Sequence, residues 1–207
     1  MSGNIDLGPY NEIREMPAPK TYQIRSGRRY LKGLEDGEVS YWPEIHTIMV
    51  DEGTGHVMVN GGYGVFAYCW PHPGRGDKSL HAFLYQVGFD YFMNKASTKP
   101  YMVADIPETL AGMKRDIIEE RKRGWFGRER ARDLWNAIEN NLHEHMMESD
   151  FVESMWNDRV LCAHYCDGSP SISMKEDQGM RNFWNEVWEP FRMKVLKPYW
   201  LEQQKTA

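Results

Sequence analysis

Only three cysteines, Cys69, Cys162 and Cys166, occur among 207 residues. So sparse and odd a set excludes the disulfide framework of small secreted domains and predicts a reducing, cytoplasmic setting. Nowhere is there a run of about 18 apolar residues, the length a membrane helix needs. The opening residues carry Asp6, Glu12 and Glu15 without an apolar stretch, so they do not read as a secretory signal. Neither sign of charge dominates: 25 Lys and Arg stand against 30 Asp and Glu, for a net charge of −5. That balance disfavours non-specific adhesion to nucleic acid or anionic membrane and leaves room for local basic patches. Internal repeats, heptad arrays and low-complexity tracts are also missing.

Catalytic signatures are equally scarce. The segment Gly74-Arg75-Gly76-Asp77-Lys78-Ser79 sits where a phosphate-binding loop would, between a strand and a helix. However, Asp77 stands where glycine should precede the lysine, and its carboxylate would compete for the helix N–H groups that hold phosphate, so a capped turn is the better reading. Cys162, His164 and Cys166 lie close together, and Cys69 and His72 form a second pair. Their spacings depart from the two- or four-residue gaps of structural zinc sites, which favours unligated cysteines and no metal. His143 and His145 are two apart rather than four, so on a helix they diverge instead of sharing a metal. No Gly-x-Ser-x-Gly elbow or distinctive carboxylate pair points to a nucleophile or an acid–base couple. The expected class is therefore a non-enzymatic chain without a cofactor.

What is present suffices for a core. Hydrophobic residues make up 41% and aromatics 13%, far from the composition of a chain that stays unfolded. Length favours a single domain over residues 1–207, with 1–19, rich in Gly and Pro, as an irregular arm. The stretch from Thr21 to Ile24 is compatible with an extended chain, and nothing firmer follows from it. Between His46 and Trp70, three apolar runs (Ile48 to Val50, Val57 to Val59, Val65 to Trp70) are separated by the glycine-bearing turns Asp51 to Gly55 and Asn60-Gly61-Gly62, which predicts a three-stranded antiparallel meander.

Four to five helices should pack against that meander in an α+β fold. Asp77 offers a cap for a helix running to about Lys95, with Leu80, Phe83, Leu84, Val87, Tyr91 and Phe92 on one face. Asp105 and Glu108, with Pro107 in the first turn, start another that ends at Gly124. A third spans about Arg128 to Met147, and Ser149 or Asp150 caps a shorter successor. Last comes an aromatic stripe from Phe183 to Leu196 that is too apolar to leave in water, with Pro190 expected to kink or divide its helix.

The most pointed surface signal lies between Lys114 and Arg132. Eight basic residues, Lys114, Arg115, Arg121, Lys122, Arg123, Arg128, Arg130 and Arg132, surround Trp125 and Phe126. Arginine and tryptophan are the residues that dominate protein-binding hot spots, and the same pairing of cations with aromatics suits nucleic acid. The competing reading turns Trp125 and Phe126 inward while Glu119, Glu120, Glu129 and Asp133 neutralise the cations. Acidic residues gather further on, at Glu144, Glu148, Asp150, Glu153 and Asp158, and such a split of charge suits protein recognition.

The run Gly64-Val65-Phe66-Ala67-Tyr68-Cys69-Trp70, a glycine-bearing turn, and the helix through Phe83-Leu84 to Asp90-Tyr91-Phe92-Met93-Asn94-Lys95 resemble small uncharacterised accessory proteins of tailed phages and prophages. The resemblance brings no catalytic residues. It implies action in the host cytoplasm by binding a host protein, including components of antiviral defence. Arg121, Arg123, Trp125, Phe126 and Arg128 are then the expected contact, with a nucleic-acid-binding module on residues 114–132 as the alternative.

Overall fold

A computed structural model describes residues 18–30, 40–72, 79–165 and 170–206. The chain groups into two compact units, Met1–Tyr101 with Gln178–Ala207, and Met102–Asp177. The fold is α+β, and the first unit carries a four-stranded antiparallel sheet rather than the expected three-stranded one. Its strands β1 (Lys20–Tyr30), β2 (Ser40–Asp51), β3 (His56–Gly61) and β4 (Gly64–Cys69) lie in sequence order. The meander is β2 to β4, and β1 is the addition. Pairing of Ile48 with Val59, Val50 with Val57, and Val59 with Phe66 stacks these side chains on one buried face. Met58 and Val65 point the other way, into solvent, as the period of two requires.

The β2–β3 turn is built by Asp51, whose carboxylate accepts from the Gly53 and Thr54 N–H groups and the Thr54 hydroxyl. Gly55 follows at φ 77°, and a Cβ there would lie 2.1 Å from the Trp70 carbonyl oxygen, where the two backbones are held close by the Trp70 N–H donating to Gly55 O. Gly55→Ala is therefore expected to destabilise the protein by about 2 kcal/mol or more, combining left-handed strain with a backbone clash. Urea unfolding measures this, and a change below about 0.5 kcal/mol would contradict the turn geometry.

Helices α1 (Leu80–Gln86) and α2 (Phe89–Ala96) replace the single helix expected to reach Lys95. Val87 is extended and Gly88 caps α2, so the apolar spacing of three and four runs across a break in the backbone. Ser79, not Asp77, caps α1 by accepting from Ala82 N–H; Asp77, with the rest of 73–78, lies outside the described residues. The unit closes with a continuous helix over residues 178–206. Phe183, Trp184, Val187, Trp188, Phe191 and Leu196 on it are buried against the sheet, α1 and α2, as the aromatic stripe predicted.

Pro190 does not divide that helix. Wide π-helical turns at Trp184–Trp188 and Arg192–Leu196 end one residue short of Pro190 and Pro198. Glu189 N–H bonds to Trp184 O and Lys197 N–H to Arg192 O, each five residues back. The wider turn draws the carbonyl away from the proline ring that would otherwise strike it.

The second unit has its own core. A short ladder of β5 (Met102–Ala104) with β6 (Met174–Glu176) gathers the ends of a segment that carries α3 (Ile106–Lys122), α4 (Arg128–Asn141), α5 (Glu148–Asn157) and α6 (Arg159–His164). Ile106, Met113, Ile117, Leu134, Ile138, Phe151, Met155 and Leu161 are buried together. Asp105 caps α3 through Glu108 N–H with Pro107 in the first turn, as expected. The fourth helix ends at Asn141, short of Met147, because Leu142 turns extended to reach the core. Met147 caps α5 in place of Ser149 or Asp150. Counting 178–206 as one, seven helices lie among the described residues, against the four to five expected. None is long and apolar enough to cross a membrane.

Candidate interaction surface

Helix α3 ends in a Schellman motif. Gly124, at φ 77°, donates to Arg121 O, and Trp125 N–H reaches Glu120 O at 3.1 Å. That motif customarily tucks its last side chain against the helix. Trp125 instead stands 68% exposed, with the Arg123 guanidinium 5.6 Å from its ring centre. Phe126 turns the other way, packing on the second core with its ring edge toward His164 at 5.9 Å. The two aromatics thus divide between the competing expectations, one outward and one inward.

Charge pairing removes some of the basic residues from play. Lys114 bonds Glu139 and lies over Trp135, Arg115 holds Glu108 at 2.7 Å, and Arg123 holds Glu119 at 3.3 Å. Arg121, Arg128 and Arg132 make no ion pair among the described residues. These three line an open groove of about 500 Å³ between α3 and α4, whose floor is Ile117, Ile118 and Trp135. Their placement follows from helix geometry. Arg128 and Arg132 are four apart on α4, and Arg121 follows Ile117 by one turn of α3, so all three overhang the same apolar strip. Of the expected contacts, Arg121 and Arg128 share this groove, whereas Trp125 and Arg123 stand at the turn beside it. Arg132 and Trp135 belong to it as well.

The remaining candidates resolve differently. Cys69 and Cys162 are free and half-buried, and Cys69 Sγ donates to Thr54 O at 3.3 Å. Cys166 lies outside the described residues. Among those described, no group of three or more potential metal ligands converges. His164 faces Glu120 at 3.4 Å, and His143 and His145 are exposed. In the acidic run, Asp158 caps α6 through the Val160 and Leu161 N–H groups, while Glu148 and Asp150 sit in the first turn of α5, where the helix dipole favours them.

A polar chain in the first unit gave no signal in the sequence. Glu52, in the β2–β3 turn, accepts from the backbone N–H groups of Leu80 and His81 and from His81 Nδ1. The fully buried His81 presents Nε2 to the Tyr22 hydroxyl at 3.0 Å. The neighbouring Tyr199 accepts from Lys20 Nζ at 2.9 Å and stacks on His81 at 4.3 Å. With Nδ1 donating to a carboxylate, a neutral imidazole must accept at Nε2, so protons point one way from the Tyr22 hydroxyl through His81 to Glu52. A carboxylate–imidazole–hydroxyl chain is also what nucleophilic catalysis uses. Here the hydroxyl is a phenol, pushed up to about 12 first by burial and then by Tyr199. It keeps its proton at neutral pH, and the chain serves as a clamp between the hairpin turn and the start of α1.

No curated protein and no solved structure matches this chain. Residues 23–198, covering both units, nevertheless match a phage protein family, extending far beyond the 64–95 segment that carried the first resemblance. The chain belongs to that phage family.

Proposed function

We propose that this phage protein acts without catalysis, by binding a host protein through the α3–α4 groove and the adjoining Trp125, and so modulating it in the manner of an anti-defence inhibitor. The observation that carries the reading is three arginines, unpaired with any carboxylate among the described residues, overhanging an apolar floor beside an outward tryptophan. Arginine and tryptophan anchors around a desolvated centre are the anatomy of a protein hot spot. The occupant is an acidic surface, since it must supply the carboxylates that the groove lacks. A nucleic acid would find cations here too. The groove's aliphatic floor and the chain's net charge of −5 favour protein.

The test is capture from nuclease-treated host extract by the immobilised chain and by a Trp125→Ala/Arg128→Ala variant of unchanged thermal stability. A host protein held by the parent chain is expected to bind the variant at least roughly 30-fold more weakly, the equivalent of about 2 kcal/mol. An identical set of retained proteins in both lanes overturns the site. Retention that depends on nucleic acid and falls steeply with salt overturns the partner class in favour of the nucleic-acid reading.

A further inference from the structure

The sheet of the first unit treats its two edges unequally. At one edge, the six-residue β4 is met by the chain after α2, where Phe66 bridges Ser97 and the Thr98 hydroxyl donates to Val65 O at 3.4 Å. At the other edge, β1 runs for eleven residues and pairs only with β2, so among the described residues its outer row of N–H and C=O groups has no strand beside it. A long open edge is a template for another strand, and proteins ordinarily cover it or blunt it.

Along this edge lies a groove of about 520 Å³ between β1 and the C-terminal helix. Gln23, Ile24 and Arg25 form one wall and Phe191, Lys194 and Val195 the other. Its apolar strip comes from Ile24 and Val195, both partly buried on the first core. Arg25 and Lys194 are exposed and make no ion pair among the described residues. At about 3.3 Å per residue, the five residues Thr21 to Arg25 that border the groove offer an edge of roughly 17 Å.

We infer that the β1 edge and this groove bind an extended acidic segment of a partner protein, which adds to the sheet as a fifth strand. Main-chain pairing with β1 would supply affinity whatever the partner's sequence, and alternate side chains would enter the groove. Charge decides the occupant. The β1 sequence KTYQIRSGRRY contains four cations and no acid, so a second copy pairing edge to edge would bring like charges together, whereas an acidic strand would meet Arg25 on the outer face or Lys194 on the helix side. This site belongs to the first unit and does not depend on the α3–α4 reading.

The probe is a blocked hexapeptide alternating Glu and Val, with its Lys-Val counterpart as control. Binding is followed by titration calorimetry and by hydrogen exchange of the amides of residues 21–25. The Glu-Val peptide is expected to bind at least tenfold more tightly than Lys-Val and to slow exchange in that segment. An Arg25→Glu/Lys194→Glu variant, both changes being at exposed positions, should reverse the preference. Equal binding of the two peptides, binding that leaves these amides unprotected, or protection that already rises with protein concentration in the absence of peptide would each overturn the inference. The last result would assign the edge to a second copy.

Discussion

Phe183→Ala is expected to lower stability by about 3–5 kcal/mol, the cost of emptying a fully buried aromatic site. Phe183 is stacked on Phe66 at 4.0 Å, lies within 6.2 Å of Phe92 and meets Tyr63 edge-on, so its removal unpacks sheet, α2 and C-terminal helix together. Phe151→Ala makes the matching hole in the other core, where Phe151 is also fully buried. Calorimetric unfolding of the two variants therefore also tests the expectation of one cooperative domain. Residues 102–177 interrupt a unit that is complete only when the C-terminal helix has returned to the sheet, which favours a single transition shifted by either change. Two transitions, each answering to its own variant, would show two independently folding bodies.

The second large effect concerns the Glu52 clamp. Glu52→Ala removes three hydrogen bonds to a partly exposed carboxylate, for which we expect a loss of about 2 kcal/mol at pH 7. The same contacts make the fold acid-sensitive. Burial alone would raise the Glu52 carboxyl, yet bonds from the His81 ring and the Leu80 and His81 N–H groups leave it below its ordinary 4.5. Burial holds the His81 imidazole below its ordinary 6.5, and the bond to Glu52 offsets this only in part. Both groups bind fewer protons folded than unfolded, so the unfolded chain gains as acid is added. Stability should be fullest above about pH 6.5, decline first as unfolded His81 charges, and decline again below 4.5 as Glu52 is protonated. His81→Phe is expected to shallow the first decline. An unaltered melting-temperature profile between pH 6.5 and 4.5 in that variant would rule out His81 as its source.

Much of the architecture was legible because its signals are local. Asp105, Pro107 and Gly124 bracket α3 by cap chemistry that needs no tertiary context, and the apolar alternation with glycine turns marked β2 to β4. The β1 strand was not legible as one: Lys20, Arg25, Arg28 and Arg29 break its pattern, and its place is set by pairing with a partner 10 to 30 residues away. The break between α1 and α2 was hidden because Val87 is buried on either reading. At the candidate surface, the arginines and Trp125 announced themselves by type. That Arg121, Arg128 and Arg132 make no ion pair among the described residues, while Lys114, Arg115 and Arg123 do, depends on rotamers and neighbours that sequence spacing leaves open. The clamp joins residues as far apart as Lys20 and Tyr199 and left no trace in any local run.

The two π turns have a bearing on that clamp. Each accommodates one additional residue with little axial advance, and one residue of an α-helix corresponds to about 100° of rotation. Whatever follows Lys197 is consequently swung round the axis by something like 200° from where an unbroken α-helix would aim it. Tyr199 comes after both insertions, and it is the side chain that meets Lys20 and lies over His81. Two prolines that local preference would count as flaws thus set the angular phase at which the end of the chain locks onto its beginning.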